Sequence, residues 1–294
     1  MFQFFANIFG YLLNFINNFV GNYGLAIILF TVLIKIIMLP LSIKQQRTMK
    51  KSTELNEKIK VLQFKYKNDP EKLNREMMDL YKKENMSPFS GCLSTIAQFI
   101  LLISIFYMVR CPLTYMKKIN NDQINTYVQQ LKDGGITVNQ AYSEIDIIRE
   151  LDYLKEKMPE DEGLNKINLN MNFCGLDLSK IPQQNLNDWT VYIIPALYII
   201  STFISMKITT SMQKKSKKND GVIDITEKEE KDSKEEKNEM EDMMEQSNKM
   251  MSWMMPIMSV SISLVAPLGL ALYWLVNNIL MIGERLVLNK IIKD

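Results

Sequence analysis

Lys35 stands alone in an apolar run from Tyr23 to Leu41 that otherwise reads as a membrane-crossing helix. An ammonium near the middle of such a helix costs about 3 kcal/mol on insertion scales and more in simulations. A chain keeps a charge there where water or a polar partner reaches it, which points to a wet cavity within the bilayer. The chemistry open to it is electrostatic: attraction of carboxylates in a medium of reduced dielectric, where charge pairs are stronger than in water. The alternative is a stem that snorkels to the nearer surface. Lys35 lies nine positions before Lys44, roughly 13 Å along a helix, and a lysine stem covers only about half of that.

Other polar residues fall at helical spacing in the apolar runs. Thr31, Lys35 and Ser42 share one stripe of the first run. Ser94 and Gln98 are one turn apart in the second, and Trp274, Asn277, Met281 and Arg285 form a stripe in the last. Such groups can also act only as interhelical glue, worth about 0.6 kcal/mol each; for Ser94 and Gln98 both readings stay open. Covalent chemistry has little to work with. Histidine is absent, which removes the commonest general base and a favoured metal ligand. The spans offer neither paired aspartates nor a nucleophile with a base, and no phosphate-binding loop is found. No catalytic residue, metal or cofactor is therefore expected. Cys92 falls in a span as a packing residue, while Cys111 and Cys174 share one connector, where a disulfide is open if that connector is extracytoplasmic.

The elements that must position these residues follow from composition. Hydrophobic residues make up 47% while mean hydropathy is −0.07, so very apolar spans alternate with very charged connectors. The expected fold is all-α: a polytopic cell-membrane protein with spans at roughly 24–43, 89–109, 189–207, 252–267 and 268–288. The connector 44–88 has twelve cations against seven acids, which places it in the cytoplasm. By alternation 110–188 is outside and 208–251 inside. The outer connector has eight cations and twelve acids past Arg110, in agreement. Residues 1–22 read as an amphipathic helix lying in the outer interface, through Phe5, Phe9, Leu12, Ile16 and Phe19. A sixth span is the alternative, and a signal peptide fits poorly.

The soluble pieces differ in kind. Residues 44–88 read as a helical hairpin, with Leu55, Ile59, Leu62 and Tyr66 on one arm and Leu73, Met77 and Leu80 on the other. Asp69 is the expected N-cap and Pro70 the first helical residue. The hairpin's outer faces are basic, with Lys50, Lys51, Lys58, Lys65, Lys82 and Lys83 as candidate contacts to anionic headgroups, ribosomal RNA or a partner; a plain solvated face is the alternative. Residues 110–188 carry one amphipathic helix at Ile145–Met158, with apolar content thin for an independent domain. Residues 213–247 are dominated by Lys, Glu, Asp and Asn and read as disordered around 216–235. The chain thus divides into 1–22, 23–109 with its hairpin, 110–188, and 189–294 with its charged loop.

In these residues the chain resembles the YidC family of membrane protein insertases. The resemblance rests on Tyr23-Gly24, the stretch Thr31 to Leu41, Lys44 to Lys51, Glu76 to Lys83, and Pro88 to Leu93 with Gln98. It continues in Trp253 to Met258 and Pro267 to Asn278. It implies five helices around a polar groove open to the cytoplasm and to lipid, with Lys35 at a position usually occupied by arginine. Lysine keeps the charge but not arginine's fixed fork of donors. It also implies substrate contact at Thr31 and an aromatic at Trp274. The implied partners are nascent membrane proteins, membrane lipids, the Sec translocon and the ribosome, with no DNA. Relative to that family the outer loop and the 213–247 segment look long, and no long basic tail follows the last span, so ribosome contact would fall to the hairpin. A transporter or channel is the competing reading; inverted repeats, a second opposing ion site and a glycine-interrupted helix pair are not seen in the sequence. An intramembrane protease is a weaker competitor.

Overall fold

The computed structural model describes residues 2–66, 69–84, 86, 90–219 and 260–291; at 49, 50, 53, 56, 57, 60, 64, 90–95, 97, 98, 212–219, 289 and 290 it describes the backbone alone. The expected loop tract 220–251 and the first half of the expected fourth span, 252–259, lie outside the described residues, as do the side chains of Lys50, Cys92, Ser94 and Gln98.

Helix α1 (Phe2–Val20) turns through Gly21, whose φ of 67° suits a residue without Cβ. It enters α2 (Tyr23–Lys65), where the Asn22 side chain accepts from the Leu25 amide as N-cap. At 43 residues α2 is roughly 65 Å long, about twice the hydrocarbon thickness of a bilayer. The first span runs unbroken into the first arm of the hairpin. Residues 44–65 hold neither glycine nor proline, so nothing stops the helix. Helix α3 (Pro70–Lys83) is the second arm, starting with Pro70 behind an Asp69 side chain that accepts from the Lys72 amide, as the sequence predicts. Leu55 and Ile59 are buried, and Leu73, Met77 and Leu80 are partly buried.

Helix α4 (Ser90–Arg110) packs along α1, which lays Ala6, Phe9, Leu13 and Ile16 against it and α2. The opposite face of α1 leaves Phe4, Ile8, Tyr11, Phe15 and Phe19 exposed, so α1 is apolar on two faces. Beyond α4 come α5 (Pro112–Tyr115), α6 (Asn121–Asp133), α7 (Ser143–Arg149), α8 (Leu151–Lys157) and α9 (Glu162–Lys166). A small antiparallel hairpin, β1 (Asn172–Phe173) and β2 (Leu176–Asp177), turns through Cys174 and Gly175, both at positive φ. Two 3₁₀ turns lead to α10 (Ile193–Asn219). Residues 260–265 are helical and reach the Ala266-Pro267 turn, after which α11 (Leu268–Ile291) closes the described chain. Among the described residues three helices are long and apolar enough to span a membrane, at Tyr23–Thr48, Trp189–Ser211 and Leu268–Leu288, with a shorter apolar helix at Phe99–Arg110.

Residues 111–192 form a cap over one end of these helices. The single helix expected at Ile145–Met158 is corrected to two, α7 and α8, breaking at Glu150. The cap buries Leu113, Tyr127, Leu131, Ile147, Leu154 and Leu164 in a core continuous with Ile27, Phe30, Ala266 and Leu270 of the spans. Its own apolar content is modest because its core is shared with the helix ends. Glu144 is buried within it: one carboxylate oxygen accepts from the Leu113 and Thr114 amides at 2.7 and 3.0 Å, the other from the Thr114 hydroxyl at 2.6 Å. Burial pushes this carboxyl above its usual range against the pull of those donors.

The segment 170–180 ties the cap to two helix starts. The Tyr23 amide donates to the Asn170 carbonyl and the Asn22 side-chain amide to the Asn172 carbonyl. The Leu268 and Gly269 amides donate to the Lys180 and Leu178 carbonyls at 2.9 Å. These bonds satisfy amides that a helix start leaves without intrahelical partners. Gly24 allows the approach: a Cβ there would lie 2.4 Å from Cγ of Phe173.

Cys111 and Cys174 are both free thiols, so the disulfide left open by the sequence is not formed. Burial, then the Glu144 charge, pushes the Cys111 thiol up to about 12, while Cys174 is exposed at a turn tip. Maleimide applied to the folded protein in detergent is expected to label Cys174 quickly and Cys111 only after denaturation; Cys174→Ser should remove the fast label. For Glu144→Ala, the loss of acceptors for two buried amides should destabilise the cap by about 2–3 kcal/mol, read by protease sensitivity of residues 111–188. The raised carboxyl also fixes a sign. The folded cap binds the Glu144 proton more tightly than the unfolded chain, so its stability falls as pH rises from the ordinary carboxylate range through the raised value. Glu144→Gln should flatten that slope.

Candidate functional site

Helices α2, α10 and α11 pack side by side, and their polar side chains meet at two levels. Lys35 of α2 donates from Nζ to Oε2 of Glu284 on α11 at 3.2 Å, with side chains 25% and 14% exposed. Among the described residues it is the ion pair that joins two membrane-length helices. The distance exceeds the 2.7–2.9 Å usual for charge-assisted bonds; the Lys180–Asp188 pair of the cap sits at 2.8 Å. The ammonium is therefore met by a carboxylate within the bundle, rather than by stem snorkelling alone. Position 284 is not among the residues singled out from the sequence. Its signal was present: Glu284 follows Asn277 by seven residues and Met281 by three, which puts it on the stripe already recognised, and a carboxylate in a span is a site candidate by default.

One turn nearer the cap, Thr31 is 2% exposed and its hydroxyl donates back to the Ile27 carbonyl at 2.6 Å. It lies on the Lys35 side of α2 but inside a closed interface. Trp274 is partly buried and packs its ring against Tyr198 of α10, centroids 6.2 Å apart. Asn277 is partly buried, on the Glu284 face of α11. Thr31 and Lys35 thus lie on α2, and Trp274 and Asn277 on α11, which packs against both α2 and α10. Where Ser94 and Gln98 point lies outside the described residues.

The second polar level faces α10. Asn278 Nδ2 donates to the Ser201 and Thr202 hydroxyls at 2.9 and 3.2 Å, and Arg285 Nη1 donates to the Thr209 hydroxyl. Arg285 sits beside Glu284 in sequence yet turns to α10, the helix that Trp274 meets at Tyr198 and Asn278 at Ser201. Lys35, Glu284 and Arg285 together carry a net +1. Such a cluster can hold an anionic group by attraction and hydrogen bonding. Among the described residues no His/Cys/Asp/Glu group could hold a metal ion.

On the hairpin, Lys51, Lys65, Lys82 and Lys83 are exposed. Lys58 is engaged with Glu84 at 2.5 Å, and Lys82 lies 3.8 Å from Asp79. Lys65 and Lys72 both stand over the Tyr66 ring. The basic face is thus exposed but already partly paired.

The family model of the 60Kd inner membrane protein matches residues 15–294. A membrane protein insertase YidC from Caldanaerobacter subterraneus subsp. tengcongensis is 48% identical over 101 residues, covering 34% of this chain and 49% of that protein. Another, from Francisella tularensis subsp. novicida, is 46% identical over 109 residues, 37% of this chain and 20% of that protein. The matches span about half or less of those curated relatives' length.

Asn278→Leu should loosen α10 from α11. The loss is expected at roughly 0.6–1.7 kcal/mol, the range of interhelical hydrogen bonds in membrane bundles, measured as a lowered midpoint of thermal unfolding in detergent. An unchanged midpoint would show that the amide contributes nothing to packing.

Proposed function

The chain belongs to the 60 kDa inner membrane protein (YidC/Oxa1) family of multi-span membrane proteins, and we propose that it moves nascent membrane proteins from the cytoplasm into the bilayer. The observation that carries this reading is Lys35: a cation held inside a membrane-length helix, one-quarter exposed, with polar residues of α11 beside it. In the proposed arrangement the cap lies outside and the hairpin inside. Five spans, α2, α4, α10, the 252–267 segment and α11, surround a polar groove open to the cytoplasm. Lys35, Thr31, Gln98, Ser94, Trp274 and Asn277 are the residues proposed to line it. The strap 170–180 supports closure at the outer end, because it bonds the starts of α2 and α11 together.

The work is done without bond-making. A segment with a polar or acidic flank enters from the cytoplasm, and its carboxylates are drawn by the net positive charge of the Lys35–Glu284–Arg285 cluster. The groove shortens the hydrocarbon that this flank must cross. The apolar part then moves into lipid beside α2 and α11, driven by burial at about 25 cal/mol per Å². The exposed hairpin lysines Lys51, Lys65, Lys82 and Lys83, with Lys50 and Lys58, are proposed to meet lipid headgroups, the ribosome or the Sec translocon. The opposing carboxylate Glu284 also suits an ion-coupled transporter, which would place paired charges at this depth. Solute flux into vesicles containing the purified chain would favour that alternative.

Lys35→Glu turns the cluster's net charge from +1 to −1 and should cut insertion of an acidic-flanked single-span substrate into vesicles by about tenfold, equivalent to 1.4 kcal/mol. Lys35→Arg should insert it normally. Equal insertion by wild type and Lys35→Glu would remove the electrostatic step. A photocrosslinker at position 274 should capture a stalled nascent segment; one at Ile279, which is exposed on α11, should meet lipid.

A further inference from the structure

Lys35 is not a vacant cation waiting for a ligand, because Glu284 already occupies it. We propose that Glu284 is a specificity-tuning residue: a resident carboxylate that an incoming segment's carboxylate must displace from Lys35, so that acidic flanks are held only as firmly as this exchange allows and can be released. The proposal rests on the insertase reading above and assigns a role within the same site.

Four observations support exchange rather than a permanent lock. The pair is made through one carboxylate oxygen at 3.2 Å, longer than a tight ionic bond. Lysine has three N–H donors, so the ammonium can engage a second carboxylate before it releases the first. The lysine is the more open partner, 25% exposed against 14%, and an approaching acid therefore meets the cation before Glu284. Finally, Arg285 follows Glu284 directly and donates to the uncharged Thr209 hydroxyl, so the carboxylate, once released from Lys35, keeps a cation nearby. Leaving a buried carboxylate wholly unpaired would be far more costly.

The consequence is a moderated preference for acid. A neutral polar flank cannot replace Glu284, because losing an ion pair for a dipole is unfavourable where the dielectric is low. An acidic flank exchanges like for like. Without Glu284, Lys35 would be left unpaired and the local charge would rise from +1 to +2, so carboxylates would be held more tightly and released more slowly.

The test compares substrates as well as variants. The purified full chain in phospholipid vesicles is challenged with two single-span segments that differ only in an Asp-Asp or Asn-Asn flank, and crosslinking from position 277 gives an acid-to-neutral capture ratio. Glu284→Gln should raise that ratio by roughly threefold to tenfold, the change that about 0.6–1.4 kcal/mol produces. The double variant Lys35→Gln, Glu284→Gln, which leaves Arg285 as the cluster's one cation, should lose that increase. Should Glu284→Gln fail to assemble, Glu284→Asp lengthens the pair while keeping its charge, and it should raise the ratio in the same direction by less. A ratio unmoved by Glu284→Gln, or by Glu284→Asp in its place, while Lys35→Gln still abolishes acid preference, would overturn the role of Glu284 and leave the insertase reading standing. If wild type neither captures nor inserts either segment, the insertase reading itself fails, and this inference with it. A merely structural Glu284 would lower the unfolding midpoint without altering the ratio.

Discussion

A charge inside a hydrocarbon layer must be met by an opposite charge, by a dipole or by water, and in this chain that requirement sets how α2 and α11 sit together. Lys35 lies twelve residues into α2 and Glu284 sixteen into α11, about 18 and 24 Å along their axes. The two helices are joined at two points of different character. At the cap, backbone bonds from Tyr23, Leu268 and Gly269 to the 170–180 strap fix their starts. Deeper in, an ion pair at 3.2 Å joins them. The first attachment has no means of exchange, since each amide would be left unsatisfied. The second is made between side chains, and its lysine is one-quarter exposed.

That difference gives the bundle a closed end and an adaptable one. The cap's core runs without interruption into Ile27, Phe30, Ala266 and Leu270, so the helix ends there share one apolar core with the cap. Toward the hairpin the contacts become polar: Lys35 with Glu284, and Arg285 with Thr209. Asn278 and Arg285 hold α11 to hydroxyls of α10, while α2 meets α11 through the Lys35–Glu284 ion pair.

Much of this was legible in the residues. The placement of helices α2, α4, α10 and α11 followed from apolar runs of spanning length, and the start of α3 from Asp69-Pro70. The chemical importance of position 35 followed from one charge among apolar neighbours. What escaped had physical reasons. Helix continuity from the span into the hairpin was hidden because polarity changes at Lys44 while helix propensity does not. The cap looked too poor in apolar residues because its core includes residues of the spans, which a segment-by-segment reading counts elsewhere. The break at Glu150 interrupts a pattern whose apolar spacing is unbroken. Glu284 was missed beside Arg285 because adjacent residues point some 100° apart on a helix, and only packing decides which one turns to α2.

The central claim is that the Lys35–Glu284 pair faces an aqueous recess reached from the hairpin side. Met281, one turn before Glu284 on the same face and partly buried, reports on it most directly. With the native cysteines replaced, Met281→Cys in sealed vesicles should react with a membrane-impermeant methanethiosulfonate presented to the hairpin side, and should stay unmodified when the reagent is on the cap side. A thiol that reacts from neither side, yet labels fully once the protein is denatured, would mean a dry interface and would contradict the account.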